Sequence, residues 1–516
     1  MSTLPRLLRR IGSATVCTFL AFTVSLVFSL SLSAVSFASG EPLTKISSDP
    51  FTNPTSNHKT EVEPDTFAFG NTIVATFQVG RFFDGGASDI GFATSTNAGE
   101  TWTHGFLPDA TVNSRPPNPT YARASDASVA FDAKHNVWMI SWLGLRNPFP
   151  PGPVDVLVSR STDGGLTWGS PVVVNASGDF NDKNWTVCDD TATSPFFGHC
   201  YTEYDDNTNL NLVQMSTSTN GGKTWGAPKT TPDHTCVIGG QPVVQPNGTV
   251  IVPIDDCLET AILSFKSTDG GMTWSKPVLA AQLLNDGHPG GIRSPDLPSA
   301  EIDRSGRVYV VWTDCRFEAA CNAGNNDLLL ISSADGVHWT LPKRVPADPV
   351  GSGVDHLIPG LAVDRSTSGS SAHLGLVYYS FPSINCTPST CQLNVGFISS
   401  INGGASWSKS EQLAGPMTLT WLPLTTQGFM VADYLSTSIV PGDDDATPVF
   451  MVAHAPTPPP NCSNLNTGAP GQGCDQAAYT TPEDLLQIVG GTNASHDVTP
   501  SNLTKKSGLS SPATSF

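Results

Sequence analysis

An all-β protein assembled from one repeated four-stranded sheet is what the sequence predicts, on three observations. Gly (47) and Pro (42) supply 89 of 516 residues and aromatics 8% of the chain, a composition of strands and tight turns rather than of helices. An octapeptide ending in Trp recurs six times. Short apolar runs with alternating polarity, bounded by turn residues, precede each copy.

From the N-terminus, Arg6, Arg9 and Arg10 precede an apolar run from Ile11 to Val35 that reaches Ser36-Phe37-Ala38, the small residues of a cleavage site, so residues 1–38 are expected to be a signal peptide. The run is also long enough for an uncleaved membrane anchor. Cleavage would change the net charge from -19 to -22, because it removes three Arg and no acid. With 39% hydrophobic residues the remainder can bury a core, which excludes disorder for most of it. It has no basic stripe of the kind a nucleic acid demands. Ten of the eleven Cys lie beyond residue 38 in close couples, 188/200, 236/257, 315/321, 386/391 and 462/474. None has the CxxC spacing of a zinc site, and an even, locally paired set in an exported chain reads as disulfides.

The octamers run from Ser95 to Trp102, Ser161 to Trp168, Ser218 to Trp225, Ser267 to Trp274, Ser333 to Trp339 (one residue short) and Ser400 to Trp407. Their Trp are 66, 57, 49, 65 and 68 residues apart, a spacing that suits one four-stranded sheet with its loops. In each, Asp or Asn bonds the backbone of its own turn, Gly supplies positive φ, and Trp leaves as an anchor between neighbouring sheets. Upstream of the fifth copy, Ser299 to Asp303 reads as an inner strand, Ser305-Gly306 as a turn, Val308 to Trp312 as a buried strand and Asp327 to Ser332 as the strand entering the octamer. The first and second copies repeat this with Asn71 to Phe77 and Ser88 to Thr94, then Asn136 to Trp142 and Val154 to Arg160. With residues 491–516 set aside as a disordered Ser/Thr/Asn-rich tail, 39–490 hold 452 residues, which at this period make seven units, with six as the alternative. The last would come from Phe429 to Val440, Pro448 to His454 and Leu485 to Val489, closed by residues 43–51.

Six S-x-D/N-x-G-x-T-W turns resemble the Asp-box, or bacterial neuraminidase repeat, of the sialidase superfamily. The resemblance covers about residues 60–410 and implies a β-propeller of seven four-stranded blades (six as the alternative), with the Asp-box turns between strands three and four. A site is then expected on the opposite face, where second strands end and first strands begin. Second strands end at Arg81, Arg146, Asp205-Asp206, Asp255-Asp256, Asp314 with Arg316, Tyr378-Tyr379 and His454. First strands begin near Glu61 and Glu63, Arg123, Arg293 and Asp296, His356, and Asp433-Tyr434. Arginines beside carboxylates and tyrosines suit a polar, carboxylated sugar; the same charges also read as a solvated rim of ion pairs.

Matched to the family, Arg81 stands at its aspartate-glycine-arginine strand end and Asp84 where its acid lies. Val62-Glu63-Pro64 replaces its Arg-Ile-Pro, so one of three carboxylate-binding arginines is missing there. The resemblance thus implies an exported, exo-sialidase-like glycoside hydrolase. Asp84 would be its proton donor, Tyr434 its nucleophile with Glu203 as activating base, and Arg81, Arg146, Arg293 and Arg316 its substrate-binding groups. The alternative is a non-catalytic glycan- or protein-binding propeller. The expected partner is a glycan or glycoconjugate met by a secreted monomer, with no nucleic acid, and no membrane once the leader is cleaved. No cofactor is expected. Asp443-Asp444-Asp445 and Asp205-Asp206 are candidates for structural calcium, though neither has the alternating spacing of an EF-hand and a solvated turn is the other reading.

Overall fold

The computed structural model describes residues 42–485 apart from 151, 319, 320, 322, 323, 466 and 472; the expected signal peptide and the tail 491–516 lie outside them. Regular structure among the described residues is antiparallel strand, interrupted only by single-turn 3-10 helices. No helix among them is long and apolar enough to cross a membrane.

The strands fall into successive meanders. The first comprises Glu61–Phe69, Thr72–Arg81, Ala87–Ser95 and Thr103–Phe106, and the second Tyr121–Asp132, Val137–Arg146, Val154–Ser161 and Val172–Asn175; a single Ala87–Ala124 pairing joins them into one sheet. A third has Asn181–Cys188, Cys200–Asp206 and Leu212–Ser218, with an isolated Met215–Lys229 bridge where a fourth strand would run. The next three begin at Val237–Gly240, Ser299–Ile302 and Asp355–Val363; each continues through three more strands, and in the first of them the short Val243–Val244 also pairs with the second. The last pairs Ser436–Ile439, Asp445–Ala453 and Gln476–Thr480, and takes as its outermost strand Thr44–Lys45 from the other end of the chain. First strands of successive meanders lie against one another in order, with Val243–Val244 making the contact to Ser299–Ile302, and that of the last lies against that of the first.

Side chains stitch this inner ring to its neighbours' backbones. The Asp65 carboxylate accepts the Val129 N–H (2.7 Å), Ser128 Oγ the Thr186 N–H (3.1 Å), Gln241 Oε1 the Ala300 N–H (2.7 Å) and Ser299 Oγ the Leu361 N–H (3.0 Å). Short strands with few partners across a meander boundary need such bonds to satisfy their buried donors.

All six octamers form the same turn. The leading Ser Oγ accepts the N–H of the turn's glycine at 2.8–3.0 Å. The Asp or Asn Oδ1 accepts an N–H three or four residues on at 2.8–3.1 Å. That glycine also touches the preceding meander. At Gly271 (φ 82°) a Cβ would collide with Thr217 Oγ1 and lie 3.0 Å from the Tyr201 ring. The expectation that every octamer Trp is buried holds for Trp168 and Trp274; Trp102, Trp225, Trp339 and Trp407 are half-buried, each against the edge of a core cluster. The five cysteine couples are disulfides, which together fit an extracellular setting.

Candidate functional site

Irregularities in the first strands build the site. Register slips between Val62 and Asp65, Ser125 and Ser128, Asp182 and Trp185, Ile238 and Gly240, and Leu357 and Gly360 place a bulge at one height in five strands. Within the slips Glu63 (φ 55°), Asp126 (46°), Lys183 (52°), Gly239 (57°) and Ile358 (50°) are left-handed. A bulge re-aims the side chain it carries, and for a residue other than Gly this conformation costs roughly 1–2 kcal/mol. Such strain concentrates at functional sites.

Three of these residues are charged and join a buried ionic network. Asp433, just before the last first strand, takes Arg293 Nε at 2.6 Å, Arg293 through a second nitrogen, and Lys183 Nζ. Lys183 also reaches Asp126 at 3.5 Å, and Arg293 approaches Glu63 at 4.0 Å. Glu63 accepts from Gln78 Nε2, while Gln78 Oε1 accepts from Arg81 (2.9 Å). Burial opposes ionisation of Asp433, but Arg293 and Lys183 outweigh it and hold its carboxyl far below the usual range. Burial, then Asp126 and Asp433, push Glu63 well up. Burial and the neighbouring Arg293 lower Arg81.

This network floors a cavity of about 360 Å³ on the face opposite the octamer turns, lined among others by Arg81, Asp126, Lys183, Glu259, His288 and Arg293. Two guanidinium nitrogens there, Arg81 Nε and Arg293 NH1, are buried without a protein partner. Arg81 is 2% exposed. Cationic donors without a protein partner on a cavity wall suit an anion. Acidic groups line the same cavity: burial pushes Asp296 up to about 7 against the opposing pull of His288, and burial likewise raises Glu259.

The cavity thus gathers Arg81 and Arg293 from the residues expected to form the site, and not the others. Asp84 belongs to the same Arg81–Gly86 turn; its side chain is 39% exposed and ion-paired with Arg123 at 2.6 Å. Arg123 in turn stacks on Phe82, 4.0 Å from the ring centroid. Tyr434 is buried beneath the network, its hydroxyl donating to the Ala127 carbonyl (3.2 Å) and its ring edge-on to Trp185. Burial, then Glu63 and Asp126, raise its pKa. Glu203, the expected base, is bonded elsewhere. Its Oε2 accepts the Gly240 N–H (3.2 Å), so it joins two meanders, and burial raises its pKa. Arg146 and Arg316 are spent within their own meanders, on Asp155 (2.8 Å) and Asp314 (2.7 Å), and do not line the cavity.

Sequence reading missed Asp126, Lys183, Asp182 and His288. Nothing local marks a bulge at Asp126 or Lys183, and His288 lies in a connection whose path no strand pattern fixes. One further cluster of metal-ligating types, Asp327, Asp348 and His356, has its atoms within 4.8 Å of one another. Arg344 already bridges its two carboxylates at 2.7 and 2.5 Å.

No family model matches the chain. Over 161 residues it is 27% identical to a curated sialidase of Bacteroides fragilis (strain YCH46), a stretch that covers 27% of this chain and 28% of that protein. The match therefore spans little more than a quarter of the curated relative's length. Solved structures similar to it include the Hadza microbial sialidase Hz136 (13% identity, TM-score 0.44, 84% of this chain and 67% of that one). The intramolecular trans-sialidase from Ruminococcus gnavus (14%, 0.42, 64% and 93%) and the Trypanosoma rangeli sialidase (14%, 0.43, 71% and 60%) are two more. In its repeated turns and in the curated match the chain resembles the sialidase superfamily.

Proposed function

We propose that the protein is an exported, carbohydrate-active member of a sialidase-like group. In this reading its seven meanders are the blades of a β-propeller, and its central cavity grips the carboxylate of an acidic sugar. The observation that carries it is the pair of guanidinium nitrogens without protein partners, Arg81 Nε and Arg293 NH1, on two residues that line one cavity. Two arginines recognise a carboxylate by charge-assisted hydrogen bonds, each worth about 1.5–3 kcal/mol. Val62 stands where the family resemblance implies a third arginine.

For the chemistry we assign exo-sialidase-like hydrolysis, with Asp84 as proton donor at the cavity edge and Tyr434 as nucleophile. A neutral phenol needs an adjacent base. Glu203 is the base that the resemblance implies, and its Oε2 accepts the Gly240 N–H. The test is release of sialic acid from a fluorogenic sialoside by the purified chain. Asp84→Asn should slow it about a hundredfold through loss of general acid catalysis, and Arg81→Ala should weaken substrate binding about tenfold to a hundredfold. If wild type turns over neither sialosides nor other glycosides, yet binds acidic glycans through Arg81, the non-catalytic binding propeller replaces the enzyme.

A further inference from the structure

The connection from Val278–Gln282 to Ser299–Ile302 forms one wall of the cavity, and it is pinned at several points. The Asp286 N–H donates to Asn326 Oδ1 (3.0 Å), the Gly324 N–H donates to the Asp286 carboxylate (2.6 Å), and the Arg293 N–H donates to the Phe429 carbonyl (2.8 Å). Within it His288 places Nδ1 2.7 Å from Asp355 Oδ2, with 5% and 0% of the two side chains exposed. The other oxygen of Asp355 takes the Asn326 N–H (2.9 Å) and side-chain amide (3.1 Å), which fixes the carboxylate. The acceptor at Nδ1 puts the neutral ring's proton there and leaves the lone pair on Nε2. That nitrogen is buried and has no protein partner, on a residue that lines the cavity with Arg81 and Arg293.

We propose that the His288–Asp355 couple is a proton-transfer site of this cavity, and that it acts on uronate-containing glycans by elimination. The inference rests on the carboxylate-gripping half of the reading above, not on hydrolysis. A proton on carbon beside a carboxylate is acidic enough to remove only when the carboxylate's charge is neutralised, which Arg81 and Arg293 would do. His288 Nε2 takes the C5 proton; the C5–H electron pair becomes the C4–C5 double bond; the C4–O bond breaks. The imidazolium then delivers the same proton to the leaving oxygen. The chain is cleaved without water or a co-reactant, and the base is restored. A sialoside offers no such proton, since the carbon bearing its carboxylate is anomeric and carries none, so uronates are the substrate class of this elimination.

Burial draws the ring's pKa down, but Asp355, with Asp296 and Asp286, outweighs it and leaves His288 above the ordinary histidine value. Glu259, Asp126, Asp182, Asp433, Arg81, Lys183 and Arg293 also face the cavity. The free base therefore accumulates as pH rises, and turnover should climb through a value above about 6.5.

The test incubates the full chain with galacturonan, glucuronan and alginate and reads the ultraviolet absorbance of the new conjugated double bond, with calorimetric binding in parallel. Wild type should form the double bond on at least one polymer, faster as pH rises. His288→Ala should still bind the polymer, though it leaves Asp355 Oδ2 without its partner and should melt lower, and its turnover should be slowed about a hundredfold or more, with partial rescue by added imidazole. His288→Gln gives a second variant should the first fail to fold. A His288→Ala or His288→Gln rate equal to wild type overturns the proposal. So does polymer binding that is lost in Arg81→Ala without any double bond from wild type, which would leave the carboxylate site intact; absence of binding removes both.

Discussion

Asp89 shows how unevenly this molecule treats its carboxylates. One oxygen accepts the Ile90 N–H (2.8 Å), and burial, opposed by Ser114 and that backbone bond, pushes the group's pKa up to about 8. The unfolded chain would ionise it near 3.9, so between about pH 4 and pH 8 the folded state binds the extra proton and stability falls as pH rises, by up to about 1.4 kcal/mol per pH unit. Asp89→Asn should flatten that slope in urea unfolding measured at pH 5 and pH 8; an unchanged slope would move the effect to other carboxyls. The same scale decides which arginines were legible. Arg81 and Arg293 keep a free nitrogen because their partners are an amide and a shared carboxylate. Arg146 and Arg316, equally well placed at strand ends, are matched by acids on adjacent strand positions, Asp155 and Asp314, and only geometry separates the two cases.

At the scale of the element, the octamer turn is both a hairpin and a latch. Its Ser, Asp or Asn, and Gly were readable because every bond they make is local, whereas the contact with the preceding meander was not. Gly271→Ala adds a Cβ at φ 82° against Thr217 and Tyr201. We expect a loss of about 1–3 kcal/mol from overpacking, above the cost of positive φ. Gly164, which also has positive φ but nothing within 4 Å of its Cβ, should lose only the conformational part; equal melting shifts for the two would refute the latch. Trp168, 8% exposed and packed among Val74, Phe92 and Trp138, should cost about 3–5 kcal/mol on truncation to Ala. The half-buried Trp102 should cost clearly less in the same denaturation series. The bulges tell the opposite story. Glu63, Asp126 and Lys183 have no local signature for left-handed backbone, and nothing in the sequence around Glu203, the base the resemblance implies for Tyr434, shows that it faces Gly240.

Across the whole molecule, the closing segment expected from residues 43–51 contains Thr44–Lys45, the outermost strand of the last sheet. The closing strand is short, but its neighbours reinforce it. Ile46 is fully buried and its N–H donates to the Ala478 carbonyl (2.9 Å), while Ser47 Oγ accepts the Ala478 N–H (2.8 Å). A chain beginning at Ser48 should therefore lose more stability than the two backbone pairings at Thr44 and Lys45 alone would imply, at least the roughly 1.5–3 kcal/mol of burying one Ile side chain. Calorimetry of the truncated and full chains checks this. A shared melting temperature would show that the last meander closes without it.

That closure sets a clock on synthesis. Lys45 pairs with Tyr479, so one of the earliest strands made waits for a partner more than four hundred residues downstream. At the 5–20 residues per second of translation, the wait is about 20–90 s. Throughout it Gln476–Thr480 does not exist, and Thr44–Lys45 has no sheet to join. Earlier meanders can form as each emerges, because their strands are neighbours in sequence; the ring as a whole cannot. Completion is a single late event that joins the two ends of the fold.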